Sequence, residues 1–267
     1  MKRIGIDFGA SYTDAVVFAG GRVEKTFSVT SDKFASSLLL SEFSGELQEK
    51  GVVFNVTGSR KEKKDFLKIA GAKKVKQVDE IKAIARGAVF LSGKKRFLTA
   101  NVGTGTPLVF VDGEKHEHLG GTGLGGGTLE GLAKLLLKEK VENIEALARR
   151  GKNSLDLTVG DILGAEGIGM IPSSATASNF GKATRASKPK REDVARSVLF
   201  MVAESIGVAA SLAAGKADCG EIVFTGRTVA MNGLFRQRLA ETARMFGKKA
   251  LFPPRAEYCT AIGAALV

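Results

Sequence analysis

The chain has 267 residues, 44% of them hydrophobic, which is typical of a globular protein with one compact unit or two lobes. Its formal net charge is +12, but the basic residues are spread along the sequence without interleaved aromatic residues. We therefore expect them to attract small anionic ligands and not nucleic acid. Two distant cysteines, Cys219 and Cys259, exclude a disulfide framework and favour a cytoplasmic protein.

No segment is expected to enter a membrane. The first residues already form a strand interrupted by polar residues, which is unlike a secretory leader. The most apolar stretch, residues 194–214, contains Arg196 and Glu204. Because charged residues are rare in membrane spans, we predict a buried helix there.

The first predicted element is a β-strand over residues 4–8 that ends in the small-residue turn Gly9-Ala10-Ser11. Gly20-Gly21 then predicts a hairpin between strands over 13–20 and 22–29. A P-loop needs Gly-Lys-Ser/Thr and an immediate helix, so this turn is a different arrangement. We interpret it as a phosphate loop in which Gly9, Ala10 and Ser11 contact phosphate and Asp7 holds Mg²⁺ through water. The alternative is an ordinary edge strand with a glycine turn.

Helices and strands alternate after this hairpin. The pattern predicts a helix over 33–50, a strand over 52–56, a short helix over 61–70 and a short strand over 75–78. A further helix begins at Asp79 or its neighbours and continues to Leu91. Glu80 at its start has two interpretations, an acid that stabilises the helix dipole or a base aimed at a reacting group.

A second hairpin repeats the first arrangement. Strands over 96–102 and 106–111 flank the tight turn Gly103-Thr104-Gly105, and Asp112-Gly113 predicts a hairpin into residues 115–119. The organisation is therefore duplicated, and we expect an α/β protein with lobes over residues 1–95 and 96–267. If the lobes face each other, both turns meet one nucleotide.

A glycine-rich run, residues 120–127, precedes a predicted helix that reaches residue 138. Backbone N–H groups at a helix start form an anion site. We therefore predict that this segment contacts the phosphates or the adenosine end of ATP through Gly125, Gly126, Gly127, Thr128 and Leu129. Beyond it we predict helices over 144–149, 193–214, 229–246 and 257–267, strands over 221–225 and 250–252, and a mobile surface loop over 167–192.

The order of these motifs resembles that of the type II pantothenate kinases over nearly the whole chain. The matching blocks are Gly5-Ile6-Asp7-x-Gly9, Val78-Asp79-Glu80-Ile81 with Arg86-Gly87, residues 101–106, residues 120–127, Ala177-Ser178-Asn179-Phe180-Gly181, Phe224-Thr225-Gly226 and Ala261-Ile262-Gly263-Ala264. The resemblance implies a duplicated actin-like ATPase (ribonuclease H-like) fold, with mixed sheets flanked by helices and a nucleotide cleft between two lobes. It also implies a homodimer.

The resemblance further implies ATP- and Mg²⁺-dependent phosphorylation of pantothenate to 4′-phosphopantothenate, in coenzyme A biosynthesis. It implies that Glu80 is the general base and that Asp7 organises the metal and phosphate. The remaining residues for which it implies ligand contacts are Thr104 and Gly105 at the phosphates, Gly226 and Arg227 near adenosine, and Thr104, His118 and Gly121 beside the substrate.

The sequence departs from the family pattern at Asp14, His118 and Ala10, where the family has lysine, arginine and glycine. Exchange of two cations is not conservative, and we consider His116, Arg86 or Arg227 as compensation. The departures leave three alternatives: a kinase of the same fold for another small hydroxyl substrate, a nucleotide-binding regulator with little transferase activity, or an ATPase that activates an iron–sulfur dehydratase. The dehydratase reading is disfavoured because neither cysteine adjoins a glycine-rich block. A metal pair of His116 and His118 is less favoured than a substrate-facing or simply exposed His118, since no third ligand follows.

Overall fold

The computed structural model describes residues 2–31, 35–58, 63, 64, 66, 68, 75–164, 167, 169, 171–185 and 188–267. The first of two mixed five-stranded sheets contains β1 (Arg3–Phe8), β2 (Tyr12–Ala19), β3 (Arg22–Thr30), β4 (Val53–Gly58) and β5 (Val75–Gln77), in the order β3-β2-β1-β4-β5. The second contains β6 (Arg96–Asn101), β7 (Thr106–Asp112), β8 (Lys115–Thr122), β11 (Glu221–Thr225) and β12 (Lys249–Leu251), in the order β8-β7-β6-β11-β12. A short ladder pairs β9 (Leu157–Thr158) with β10 (Thr176–Ser178).

The two large sheets have the same topology. In each, the first three strands are antiparallel, and the last two run parallel to the first. The predicted duplication is therefore present. It brings the carboxyl ends of β1, β6 and β11 toward the same region of the molecule.

The helices are α1 (Ala35–Glu42), α2 (Ser44–Gln48), α3 (Glu80–Ser92), α4 (Gly126–Leu132), α5 (Ile144–Arg150), α6 (Val159–Leu163), α7 (Arg191–Lys216), α8 (Arg227–Met231), α9 (Gly233–Met245) and α10 (Cys259–Leu266). A π turn, Ala133–Leu137, extends α4, and 3₁₀ turns occupy Val141–Asn143, Ala183–Arg185 and Ala256–Tyr258.

Two predicted helices are divided in the structure. The helix predicted over 33–50 is α1 and α2, separated at the fully buried Phe43, and its predicted start lies outside the described residues. The helix predicted over 229–246 is α8 and α9, separated at Asn232, whose side chain accepts a hydrogen bond from the Phe235 amide at 3.0 Å. Asn232 is thus the N-cap of α9. Most of the helix predicted over 61–70 lies outside the described residues.

The surface loop predicted over 167–192 is wrong for its central part. There the chain forms β10, and Thr176 and Asn179 donate hydrogen bonds to Glu204 of α7 at 2.8 and 2.9 Å. Residues 168, 170, 186 and 187 of the predicted loop lie outside the described residues.

The longest helix, α7, packs in the core of the second half. Within the described part of the chain it is the one helix long and apolar enough to cross a membrane. However, 56% of its most apolar 18-residue stretch is buried inside the protein. Its buried residues join the core that β6, β11, α5 and α9 also line. The structure therefore agrees with the prediction of a buried helix.

The final helix, α10, packs on the first sheet, although it follows the second. Ala261, Ile262 and Ala265 share a core with residues of β2, and Asn55 of β4 donates a hydrogen bond to the Ala264 carbonyl at 2.8 Å. Each proposed lobe, residues 1–95 and 96–267, thus contains one five-stranded sheet, and α10 of the second lobe packs on the sheet of the first.

Glycines allow α10 to approach α3 closely. A Cβ added at Gly263 would lie 1.7 Å from the Ala83 carbonyl oxygen, and one at Gly87 would lie 1.9 Å from that of Cys259. No larger residue fits either position without moving the helices apart. This packing explains why glycine stands at position 87 and at position 263 of the motif blocks.

Candidate nucleotide and substrate site

A cavity of about 350 Å³ lies where the two sheets face each other, a size within the range of small-molecule sites. Its lining comes from both halves of the chain: Asp7, Gly9, Ala10, Ser11, Tyr12 and Asp14, then Glu80, then Asn101, Gly103, Thr104, Gly105 and Pro107, then Gly126, Gly127, Leu129, Glu130, Val141, Glu142 and Glu145, and finally Gly226, Arg227, Thr228, Met231, Asn232, Glu257 and Thr260. Most of the predicted site residues therefore lie around one space.

The two hairpin turns meet at this cavity. The Ser11 hydroxyl oxygen, from the first turn, lies 3.1 Å from that of Thr104, from the second. The two residues are 93 positions apart in the sequence, so only the duplicated fold brings them together. The arrangement places hydroxyl groups from both turns at one point of the cavity wall, where they can contact a single anionic group.

The glycine-rich run packs directly against the second turn. The amides of Gly126 and Gly127 donate to the carbonyls of Gly103 and Thr104 at 2.7 and 3.2 Å, and a Cβ at Gly125 would lie 2.5 Å from the Thr104 carbonyl oxygen. These two amides are therefore bonded within the protein, and the predicted nucleotide contacts of residues 125–129 stay predictions. The glycines let α4 approach the turn, and Gly126, Gly127 and Leu129 leave space in the cavity wall.

Asp7 lies at the end of β1, directly opposite Asp14 of β2. Burial, together with the smaller effects of the Glu80 and Asp14 charges, raises the pKa of Asp7 to about 8, although a hydrogen bond with Thr260 lowers it in part. A carboxyl group in this environment favours its neutral form unless a cation is close. The site therefore has a strong electrostatic preference for a cation beside Asp7.

A hydrogen-bond network holds the Asp7 region in place. Thr225, at the end of β11, donates to the Asn101 side chain at 3.0 Å, and Asn101 donates to Thr260 at 3.4 Å. Thr260 in turn bonds Asp7. The network connects the ends of three strands to the start of α10. Sequence reasoning did not assign roles to Asn101 and Thr260, although each lies in or beside a motif block.

Asp79 and Glu80 have different positions. Asp79 is the N-cap of α3, and its side chain accepts a hydrogen bond from the Lys82 amide at 2.9 Å. Glu80 is the first residue of α3, lines the cavity and is close enough to Asp7 to influence its pKa. The capping function thus belongs to Asp79, and the Glu80 carboxylate is directed to the cavity.

Arg227 forms an ion pair with Asp14. The other two candidates for compensating the missing cations lie elsewhere: Arg86 pairs with Glu114, and His116 is exposed on β8. Burial raises the pKa of Asp14, and the Arg227 charge opposes this shift. The structure thus brings Arg227, of the three, to Asp14.

His118 and Gly121 lie on β8 and, among the described residues, are not part of the cavity lining. His118 is exposed and lies opposite Val109, while His116 lies opposite Val111, so both histidines share one sheet face as predicted. A bulge between Leu108 and Val109 shifts the register beside them. The predicted substrate contacts of His118 and Gly121 stay predictions.

One end of the cavity was not predicted from the sequence. It contains the apolar residues Val141 and Met231 together with Glu130, Glu142 and Glu145. Glu145 accepts hydrogen bonds from the Gly233 and Leu234 amides, at 3.1 and 2.8 Å, at the start of α9. No sequence motif marks these residues, because they come together only through helix packing.

Comparison with known proteins identifies the family. The family model named Fumble matches residues 95–267. Over the full length, the type II pantothenate kinase of Oceanobacillus iheyensis is 30% identical, covering 100% of this chain and 99% of that protein. The chain belongs to the Fumble family of type II pantothenate kinases. The resemblance noted in the sequence is thereby confirmed.

Other relatives match this chain over different lengths. The type II pantothenate kinase of Bacillus cereus (strain G9842) is 29% identical, with coverage of 99% of this chain and 98% of that protein. Pantothenate kinase 1 of Arabidopsis thaliana is 39% identical over 167 residues, which cover 55% of this chain and 44% of the plant protein. The two bacterial matches therefore extend over nearly the full length of this chain.

Solved structures confirm the fold. Component A of the (R)-2-hydroxyglutaryl-CoA dehydratase of Acidaminococcus fermentans superposes with a TM-score of 0.68 at 18% identity, covering 100% of this chain and 96% of that one. A ROK family glucokinase from Streptomyces griseus, in complex with glucose and AMPPNP, gives a TM-score of 0.64 at 17% identity, with coverage of 99% and 98%. At these identities the likeness shows a common fold alone, and the predicted actin-like ATPase fold is confirmed.

Proposed function

We propose that this Fumble-family chain transfers the γ-phosphate of ATP to the primary hydroxyl of pantothenate, forming 4′-phosphopantothenate in coenzyme A biosynthesis. The family membership supports the reaction, and the contact between Ser11 and Thr104 supports its location. Two turns that approach each other at one cavity suit a triphosphate bound between them. A carboxylate in the same cavity, Glu80, suits a base for the acceptor.

The chain's own residues perform the following steps. Ser11 and Thr104 donate hydrogen bonds to phosphate oxygens and hold the triphosphate in line with the acceptor. As the acceptor oxygen forms a bond to the γ-phosphorus, the bond from that phosphorus to the bridging oxygen of ADP breaks. Glu80 accepts the proton of the acceptor hydroxyl. Positioning and charge stabilisation supply most of the catalysis in this class of reaction.

Mg²⁺ fits beside Asp7. The fit is supported by the raised pKa of Asp7 and by the charges of Glu80 and Asp14, all of which a divalent cation relieves. Asp7 would hold the ion through water, and the ion supplies neutralisation of phosphate charge. Among the described residues no group of three or more His, Cys, Asp or Glu has the arrangement of a protein-only metal site, which suits an ion that arrives with the nucleotide.

We also propose that the enzyme is a cytoplasmic homodimer. The exposed face of α7 supports the homodimer. Leu212 is 60% exposed on this face, beside Val208 and Ala209. An apolar helix face of this kind suits contact with a second copy.

An acceptor other than pantothenate stays an alternative, because Asp14 and His118 stand where the family has lysine and arginine. The dehydratase-activating alternative has little support: Cys219 and Cys259 are both buried, and burial raises the pKa of the Cys259 thiol to about 12. A thiol that stays protonated and enclosed is a poor ligand for a cluster.

An acceptor panel tests the proposal. The purified chain is incubated with ATP and Mg²⁺ and with pantothenate, glucose, glycerol or no acceptor, and the products are identified by mass spectrometry. We expect phosphate on pantothenate alone. Transfer to another alcohol but not to pantothenate would support the other-substrate kinase, and ATP binding without any transfer would support the regulator.

A further inference from the structure

The ion pair of Arg227 and Asp14 joins the two halves of the chain at the cavity wall. Arg227 begins α8, directly after β11 of the second sheet, and its Nη2 donates hydrogen bonds to Asp14 on β2 and to Ser28 on β3. Its guanidinium carbon lies 4.0 Å from the centre of the Tyr12 ring, within cation–π range. Three residues of the first hairpin therefore hold one side chain that originates in the other half of the molecule.

This contact places the guanidinium beside the first turn. Tyr12 directly follows Ser11, and Asp14 lies opposite Asp7 in the β1–β2 ladder. The family resemblance implies that Arg227 lies near adenosine, but its charged end contacts Tyr12 and Asp14, which follow the turn that we assign to phosphate. The backbone of residue 227 and its guanidinium thus lie at different parts of the site.

The charge of the cavity makes this position important. Its described lining includes seven carboxyl groups and a single basic side chain, Arg227; the acids are Asp7, Asp14, Glu80, Glu130, Glu142, Glu145 and Glu257. A triphosphate entering this space is repelled unless cations are close, because like charges a few ångströms apart repel each other more strongly near a protein than in bulk water. Arg227 is the one cation that the described lining provides.

The guanidinium retains donors for a ligand. Both hydrogen bonds to the protein come from Nη2, and Nε is buried without a hydrogen-bond partner among the described residues. A guanidinium group has five N–H donors in a planar fork that matches phosphate oxygens. The side chain is 21% exposed, so a ligand in the cavity can reach it.

We propose that Arg227 binds the phosphates of the nucleotide and that Asp14, Ser28 and Tyr12 position its guanidinium for this contact. The proposal rests on the nucleotide function proposed above. In this arrangement Asp14 is a positioning residue that acts through Arg227, and it fixes a cation from one half of the molecule beside the phosphate turn of the other.

Calorimetry with two probes tests the proposal. MgATP and adenosine are titrated into the wild-type chain and into Arg227→Gln, Arg227→Lys and Arg255→Gln. We expect Arg227→Gln to lower MgATP affinity by about 10- to 100-fold, because it removes charge-assisted hydrogen bonds to phosphate. Adenosine affinity should change less than about 2-fold because adenosine has no phosphate. Arg227→Lys should lose less, and Arg255→Gln, which removes an equal charge outside the cavity lining, should match wild type.

A double-mutant cycle tests the role of Asp14. We expect Asp14→Asn to weaken MgATP binding less than Arg227→Gln does. When Arg227→Gln is already present, Asp14→Asn should leave MgATP binding unchanged or strengthen it, because it removes a negative charge from the cavity. An equal loss of MgATP and adenosine affinity in Arg227→Gln, or no loss of either, would overturn the phosphate contact. An undiminished effect of Asp14→Asn in the double variant would overturn the positioning role.

The outcome is separable from that of the acceptor panel. If the enzyme phosphorylates pantothenate while Arg227→Gln binds MgATP normally, only the inference about Arg227 is refuted. If MgATP binding depends on Arg227 but pantothenate is not phosphorylated, the phosphate contact stands and the acceptor proposal is refuted.

Discussion

Replacement of Asp7 by asparagine should change how the stability of the ligand-free protein depends on pH. In the folded chain the pKa of Asp7 is about 8, whereas its ordinary value is 3.8. Between these values the folded state keeps the proton and the unfolded state releases it, so the unfolded state binds fewer protons and stability falls as pH rises. A full difference of one proton corresponds to about 1.4 kcal/mol per pH unit. From pH 5 to pH 7, wild type should therefore lose about 3 kcal/mol more unfolding free energy than Asp7→Asn.

Urea unfolding at pH 5, 6 and 7, without nucleotide and Mg²⁺, measures this difference. Asparagine has nearly the same size as aspartate and can accept the same hydrogen bond from Thr260, so the comparison isolates the ionisation. Glu117→Gln is the matched control, because it removes one carboxylate from the exposed surface of β8, and its pH profile should parallel that of wild type. If the curves of wild type and Asp7→Asn are also parallel, the reasoning that burial and neighbouring carboxylates disfavour ionised Asp7 is refuted.

Three further substitutions test other parts of the structure. Glu80→Gln should lower kcat by about 100- to 10,000-fold through loss of the general base, with a KM for ATP close to wild type. Asp79→Asn keeps an oxygen that can cap α3, so its kcat should match wild type. Steady-state kinetics with equal activity in Glu80→Gln and wild type would exclude the base. Gly87→Ala should destabilise the protein by about 2 kcal/mol or more, because the new Cβ would lie 1.9 Å from the Cys259 carbonyl oxygen and force α3 and α10 apart. Thermal unfolding measures this loss. Gly131→Ala is the control and should show no such loss, since a Cβ there meets nothing within 4 Å. Asn232→Ala should reduce the unfolding free energy by about 1 kcal/mol through loss of the α9 cap, and an unchanged urea midpoint would contradict that capping role.

The glycine motifs were recognised in the sequence, but only the structure shows which of their backbone amides are already bonded within the protein. The run at residues 120–127 was predicted to bind anions through a helix start. In the structure, the amides of Gly126 and Gly127 bond carbonyls of the second turn. A sequence pattern shows where bulky side chains are absent, but it does not distinguish space for a ligand from space for another segment of backbone.

Asp14 shows the same limit for charge. From the sequence it was an acid at a position where the resembling family has lysine, and three basic residues were equal candidates for compensation. The ion pair with Arg227 joins residues 213 positions apart, so no local pattern predicts it. The cavity end at Val141 and Met231 was missed for the same reason.

The sequence by itself determined the duplicated order of hairpins, helices and strands, the two turns that face the site, and the family. These features follow from local preferences: alternating apolar residues, glycine turns and the Asp79 cap have their effect within a few residues of the chain. Only the tertiary structure decided which backbone amides are occupied, which cation reaches Asp14, and that α10 packs on the first sheet. Those outcomes depend on contacts between segments that are far apart in the sequence, which local preferences do not specify.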